Sequence, residues 1–490
     1  MDNAKLYKPQ KMKYFLVIDQ GTSSTRAILF DEKFAVVNVS QTEFKQFFPK
    51  DGWVEHDANE IFDTVVGCIK DVMEKSETTH KEIIAIGITN QRETCLLWDK
   101  KGNPLGKAIV WQDRRTAELC NKFKKEGLDK KINQITGLLP DPYFSGTKLR
   151  WLLEDTETPK DFFMGTIDTF LVWKLTEGRS YSVDATNASR TLLMDINNVS
   201  WSEEMCNLLN IPIDRLPEIK NSADEYGETS LFGGKIKISG IAGDQQAALI
   251  GQGCFKAGEA KSTYGTGCFM MLNTGPDVKL SKSKLLSTIG YQIDGKVSYA
   301  LEGSIFMAGA SVQWLRDNLE FFPSAPEIED LAKDSNKNSN VSFIPAFTGL
   351  GAPYWDPEAR GAIFGLSRET TKNDISQALL EAIAFQTKDI FECMSSDGVD
   401  LKSLKIDGGM VENKYFNQIL ADVLNLKILL PDNKEATAKG AAFLASLGSK
   451  HTNSLSDLDE FVGSYEQFTP LESRDSKYQS WKNLVTKILA

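Results

Sequence analysis

The segment DQGTSSTRA sets a single carboxylate, Asp19, before a glycine and a run of hydroxyl residues, Thr22, Ser23, Ser24 and Thr25, with Arg26 at its end. Backbone N–H groups and hydroxyls of such a turn can point at phosphate oxygens. Arg26 would add a permanent cation beside them, and a carboxylate at the strand end suits a Mg²⁺ ion that bridges phosphates. A plain β-hairpin whose Ser and Thr residues satisfy their own backbone carries the same signature. A second turn of this kind, Gly265-Thr266-Gly267 in TYGTGCF, speaks against that reading. So does IDGGMVENKYFNQILADVL, where Gly408 and Gly409 let a backbone approach a ligand at a helix start. Asn413 in that stretch is either a helix cap or a contact to an adenosine. In SGIAGDQQAALIG, Asp244 follows a buried strand at the mouth of a helix. An acid there can be a cap, or a base that takes the proton of an attacking hydroxyl. Gln245 and Gln246 extend the same polar face.

The usual phosphate loops are missing. No G-x-x-x-x-G-K-[ST] occurs, YGTGCFM lacks the third glycine of a dinucleotide fingerprint, and GLGAPY opens no helix. The protein-kinase motif set is absent as well. A hairpin type of phosphate clamp remains.

These residues need elements to hold them. YFLVID, RAILFD and AVVNVSQ read as a strand meander, followed by a helix near residues 60–74 and the strand IIAIGIT. The second half repeats the pattern. IKISGIAG is a strand, DQQAALIGQG opens a helix, AKSTYGTGCFMMLNTG is strand–turn–strand, and VSYALEG is a strand. Helical periodicity follows in FMAGASVQWLRDNL and DISQALLEAIAFQTKDIFECM. Alternation of strands and helices indicates an α/β fold. Two Gly-Thr hairpins in two halves suggest a duplicated domain with a cleft between the copies, the boundary lying near residues 240–255.

Composition sets outer limits. A chain of 490 residues can bury two cores. Its net charge of −11 and pI of about 5.1 exclude a broad basic face for nucleic acid. Seven scattered cysteines and three histidines assemble no zinc motif and suit a reducing compartment. The N-terminus holds no signal h-region, and no stretch reaches the roughly 18 apolar residues of a membrane span. A cytoplasmic protein without an integral membrane segment is expected.

Taken in order, DQGTSSTRA, GITNQRET, WQDRRT, DPYFSGTK, TNASRTLL, SGIAGDQQAA, TYGTGCF, FTGLGAPYWDPEARG and IDGGMVEN resemble the glycerol kinases of the FGGY carbohydrate-kinase family. The likeness runs from about Tyr14 to about Leu447. GAIFGLSRETTKNDISQALLEA fits the general FGGY signature, and YFSGTKLRWLLED nearly fits the other one. The resemblance implies two actin-like ATPase (ribonuclease H-like) domains closing on Mg-ATP and a polyol: a tail at residues 1–13, an N-terminal domain at 14–248 and a C-terminal, nucleotide-binding domain at 249–490. It implies glycerol contacts at Arg92, Glu93, Trp111, Tyr143, Asp244, Gln245 and Phe269. ATP contacts fall at Thr22, Ser23, Ser24, Arg26, Thr266, Gly267, Gly309, Gln313, Gly409 and Asn413. Asp19 and Asp244 would stand at the metal, with Asp244 as the base that lets glycerol take the γ-phosphoryl group. A homodimer or homotetramer is implied too. Without the resemblance, Arg92 and Glu93 read as an adjacent surface pair, and Trp111 and Phe269 as core.

The chain departs from the family in one loop. Where bacterial members inhibited by fructose 1,6-bisphosphate carry a Gly-rich loop with an arginine, ETSLFGGKIKISG has Lys235 and Lys237. No histidine lies in residues 220–240, so activation by phosphotransfer to a histidine there is not expected. Two other readings stand beside glycerol: another FGGY kinase, acting on a pentulose for example, and a non-catalytic ATP-driven clamp of the actin or Hsp70 kind.

Overall fold

The computed structural model describes residues 12–337, 339–356, 358–432 and 434–489. Most of the expected tail, residues 1–13, therefore lies outside the described residues. Strands β1 (Tyr14–Gln20), β2 (Ser24–Asp31) and β3 (Val36–Glu43) form an antiparallel meander. Helix α1 (Ala58–Lys75) follows, its first turn capped by Asp57, whose carboxylate accepts from the Asn59 and Glu60 amides. It buries Ile61, Val65, Ile69 and Val72 along one stripe. Strand β4 (Ile83–Asn90) runs parallel to β1. After α2 (Ile167–Leu175), strand β5 (Ile236–Gly243) runs parallel to β4 and feeds α3 (Asp244–Gly251).

The second half rebuilds the unit. β6 (Ala260–Tyr264), β7 (Cys268–Gly275) and β8 (Lys296–Ile305) form the meander. Helices α4 (Gly309–Asp317) and α5 (Lys372–Ser396) lead to β9 (Ser403–Asp407), parallel to β6. Helix α6 (Lys414–Leu424) leads to β10 (Lys427–Pro431), parallel to β9, and α7 (Ala436–Gly448) follows. The order β3-β2-β1-β4-β5 thus recurs as β8-β7-β6-β9-β10, the duplication expected from the two hairpins. Phe15, Leu16, Val17 and Ile18 are all fully buried, because β1 is covered on both faces. Both units share one 13-stranded sheet, joined where Ala223 pairs with Ile293. A separate five-stranded sheet, built largely from the insertion between β4 and α2, stands beside the first unit. Among the described residues, no helix is long and apolar enough to cross a membrane.

The seam between the units does not follow chain order. Helix α7 lies on the first unit's sheet, where Ala441, Phe443, Leu444 and Leu447 join the cluster around Phe15, Val17, Ile28 and Phe30. It crosses α3 so closely that a Cβ on Gly440 would sit 1.8 Å from the Ala247 carbonyl, and one on Gly251 1.8 Å from the Ala436 carbonyl. A boundary between residues 248 and 249 would also cut α3, a continuous helix. Substituting Gly440→Val is expected to cost about 1–3 kcal/mol by overpacking, read as a lower midpoint in a thermal melt followed by circular dichroism.

Asp168, in the first turn of α2, is fully buried. Burial, reinforced by nearby Asp184, pushes its carboxyl up to about 7. The folded state therefore binds this proton more tightly than the unfolded chain does. The resulting stabilisation is complete below about pH 4 and is lost as the pH rises toward 7, at no more than about 1.4 kcal/mol per pH unit. Asp168→Asn, neutral at every pH, is expected to gain stability relative to the wild type between pH 5 and pH 8. Equal differences at both values in paired melts would refute this.

Candidate active site

The first hairpin is fixed by register. Asp19 stands opposite Arg26 and Gln20 opposite Thr25, and the Gly21 amide donates to the Ser24 carbonyl at 3.0 Å to close the turn. Thr22, Ser23 and Ser24 line that turn, with Ser23 exposed. Thr25 points inward to Thr64 Oγ1 at 2.8 Å and takes no part in the turn's surface. Arg26 donates through Nε and Nη2 to Asp19 Oδ2 at 3.1 and 2.6 Å, while Nη1 reaches Glu435 Oε1 at 3.0 Å. Arg26 is thus the middle of an Asp19–Arg26–Glu435 chain that ties the hairpin to the start of α7. It is not a free cation.

The second hairpin is braced from behind. The Gly309 amide donates to the Gly265 carbonyl at 2.9 Å, and the Ala308 and Ala310 amides both donate to the Thr266 carbonyl at 3.0 Å. Helix α4 therefore begins on the turn itself. Gly408, at φ +96°, packs against the Tyr264 backbone, where a Cβ would meet the carbonyl oxygen at 2.4 Å. This brings Thr266, Gly267, Gly309 and Gly409 to one place, with Thr266, Gln313 and Gly409 exposed. Asn413 is the cap of α6, its Oδ1 accepting from the Phe416 amide at 2.8 Å. Its Nδ2 is buried without a hydrogen-bond partner, so the cap leaves one donor unused.

Between the hairpins lies a buried cluster of charge. Arg92 and Glu93, 3% and 1% exposed, are not the surface pair that their adjacency suggests. Arg92 grips Glu302 through Nη1 at 2.5 Å and Nη2 at 3.1 Å, and reaches Tyr143 Oη and Gln246 Oε1, both at 3.2 Å. Arg190 donates to Glu93 Oε1 at 2.7 Å and to Glu302 Oε1 at 2.9 Å. Two guanidiniums and two carboxylates are thus buried with no net charge. Burial would raise the Glu302 carboxyl, but Arg190 and Arg92 outweigh it and hold the group near 2. For Glu93 burial wins over Arg92 and Arg190, and its carboxyl is raised. Glu93 also adopts φ +61°, a conformation that costs on the order of 1–3 kcal/mol and persists only where packing imposes it.

Asp244 sits at the edge of this cluster. It is the first residue of α3, one position past the cap at Gly243, and its Oδ1 accepts from the Gln245 amide of the first turn at 2.7 Å. Its carboxylate lies 3.3 Å from Arg92 Nε and is 36% exposed to the cleft. Burial raises its pKa, opposed by Arg92 and Lys261. Gln245 is held by Lys261, a fully buried ammonium that donates to its Oε1 and, at 2.9 Å, to Thr263 Oγ1. Three aromatic rings form a wall: Trp111 lies 5.7 Å from Tyr143 and 6.4 Å from Phe269, centroid to centroid, edge to face. The indole N–H donates to Thr22 Oγ1 at 3.0 Å.

Sequence reasoning missed Glu302, Arg190 and Lys261 as site residues. The available signal was a lone charged residue inside an otherwise uncharged strand, as in VSYALEG for Glu302 and AKSTYG for Lys261. A cavity of about 560 Å³ lies elsewhere, lined by Lys333, Asp374, Gln377, Tyr415 and Arg474, and none of its lining residues belongs to the set above. Its main cations are already paired, Arg474 with Glu381 and Glu472, and Lys333 with Glu329.

The arrangement matches known proteins. The FGGY family of carbohydrate kinases matches through its N-terminal domain at residues 14–251 and its C-terminal domain at residues 260–449. A glycerol kinase of Alteromonas mediterranea is 49% identical over 489 residues, spanning 97% of this chain and 99% of that protein. The crystal structure of Plasmodium falciparum glycerol kinase with ADP superposes with a TM-score of 0.91 at 38% identity, covering 98% of this chain and 99% of that one. A ligand-bound xylulose kinase from Lactobacillus acidophilus, 23% identical and covering 97% of each chain, shares the fold with a TM-score of 0.87. With duplicated units, two phosphate-type hairpins and a charged pocket between them, this chain belongs to the FGGY family of carbohydrate kinases.

Proposed function

We propose that the chain transfers the γ-phosphoryl group of ATP to a terminal hydroxyl of glycerol, giving sn-glycerol 3-phosphate and ADP. The observation that carries this reading is the pocket of Arg92, Glu93, Asp244 and Gln245 beside the ring wall of Trp111, Tyr143 and Phe269. A triol presents hydroxyl edges and one carbon face. Glu93 keeps Oε2 clear of the Arg190 contact and can accept from a hydroxyl, the Gln245 amide can donate, and the rings cover the C–H side. Such a site rejects an analogue lacking one hydroxyl by a factor on the order of 10⁴, since its buried polar groups go unpaired. The higher identity to glycerol kinases than to the xylulose kinase favours glycerol over a pentulose.

In this reading Asp244 accepts the proton of the attacking hydroxyl, and Arg92 Nε holds the carboxylate in place. Thr22, Ser23 and Ser24 take the phosphates from one side, and Thr266 and Gly267 from the other. Gly309, Gln313, Gly409 and the unused Asn413 donor frame the adenosine. Among the described residues, no group of three or more His, Cys, Asp or Glu forms a ready cage for a cation. That fits Mg²⁺, which is held by one or two carboxylates together with substrate phosphates. Asp19, with one oxygen clear of Arg26, and Asp244 would hold it, and it would supply neutralisation of phosphate charge. We assign the polyol contacts and the first phosphate hairpin chiefly to the first unit and the nucleotide contacts chiefly to the second, with α7 packed back on the first unit's sheet, in a cytoplasmic enzyme of glycerol catabolism.

ADP formation from Mg-ATP, followed with glycerol, erythritol, xylulose or no acceptor, tests the reading. Turnover should require glycerol and fall by at least about 10²-fold in Asp244→Asn. A preference for xylulose, or equal turnover without acceptor, would sink the glycerol assignment. Glu302→Gln leaves two buried guanidiniums short of one carboxylate. It should cost about 3–5 kcal/mol of stability, seen as a lower urea midpoint, and weaken glycerol binding with it.

A further inference from the structure

The indole of Trp111 does more than cover carbon. Its backbone amide is anchored on Thr94 Oγ1 at 3.3 Å, beside Arg92 and Glu93. Its ring meets both Tyr143 and Phe269, at interplanar angles of 69° and 79°. Phe269 follows the second hairpin turn by two residues, and Thr22 lies in the first. Trp111 therefore touches the polyol pocket and both phosphate hairpins at once.

The chemistry of its bond to Thr22 has a direction. An indole N–H can only donate, so Thr22 Oγ1 must accept at 3.0 Å. The hydroxyl has one proton, and that proton must then point away from the indole. A bond accepted from Trp111 also polarises the hydroxyl as a donor. We infer that Trp111 is a positioning residue that aims the Thr22 hydroxyl proton at a nucleotide phosphate, and that a polyol packed on the indole thereby tightens nucleotide binding. The inference rests on the glycerol reading for the identity of the polyol.

Calorimetric titration of the whole chain with ADP in Mg²⁺ buffer, with and without saturating glycerol, reads the coupling directly. Wild type should bind ADP more tightly when glycerol is present. Loss of one neutral hydrogen bond should reduce that coupling by about three- to tenfold. Trp111→Phe keeps an aromatic wall and removes the N–H; Thr22→Val removes the hydroxyl. Each should reduce the glycerol effect by that factor, and the double variant should lose no more than Thr22→Val alone. Thr22→Ser restores the hydroxyl and should restore the coupling, which keeps the test decisive if Trp111→Phe fails to fold. Retention of the glycerol effect in Thr22→Val, or additive losses in the double variant, overturns the inference. So does a wild type that binds glycerol with no change in ADP affinity. A wild type that shows no heat with glycerol overturns the glycerol assignment itself, and this inference with it.

Discussion

Glu302 is held between two arginines, and the rest of the site depends on that contact. The carboxylate sits on β8, in the second unit. Arg92 follows β4 in the first unit, and Arg190 comes from the segment between α2 and β5. One buried acid thus joins three segments that are far apart in sequence. Ions buried to this depth are tolerated only when every charge has a partner at hydrogen-bond distance. The four groups Arg92, Arg190, Glu93 and Glu302 meet that condition collectively. No member can be exchanged for a neutral residue without stranding another.

This cluster explains why the reactive groups at its rim are ordered. Asp244 shares Arg92 with the cluster, so its carboxylate is oriented by a guanidinium that cannot move. Gln245 is oriented in the same way by Lys261, an ammonium buried in β6 of the second unit. The residues facing the cleft therefore draw their positions from charges behind them. A site preorganised in this way loses little on binding, because its dipoles are fixed before the ligand arrives.

The duplicated unit supplies the symmetry that brings two hairpins to face one cleft. Each hairpin is the first turn of a meander whose leading strand lies at the centre of its half-sheet. Each is braced by a helix start: α7 reaches the first through Glu435 and Arg26, and α4 reaches the second through the Gly265 and Thr266 carbonyls. The crossing of α3 and α7 at Gly251 and Gly440 brings the units into close contact there, with backbone against backbone. Glycine is required at both positions because any Cβ would overlap a carbonyl.

The sequence by itself determined the local elements. The meanders, the two Gly-Thr turns, Asp244 at the end of β5 and the helical stripe of α1 all follow from periodicity and turn chemistry acting within a few residues. The two Gly-Thr turns also pointed to a duplicated fold, and the likeness of the motifs to a known family extended the reading to the proposed site residues. Tertiary structure alone decided what those residues touch. Arg92 and Glu93 read as a surface pair because adjacency in sequence carries no information about burial. Arg26 read as a cation beside the turn with no partner named, because Glu435 lies 409 residues away. Glu302 and Lys261 passed as strand residues because a buried charge is recognisable only once its partners, contributed by other strands, are in place. Electrostatic pairing across the fold is set by three-dimensional proximity, and no local pattern in the chain encodes it.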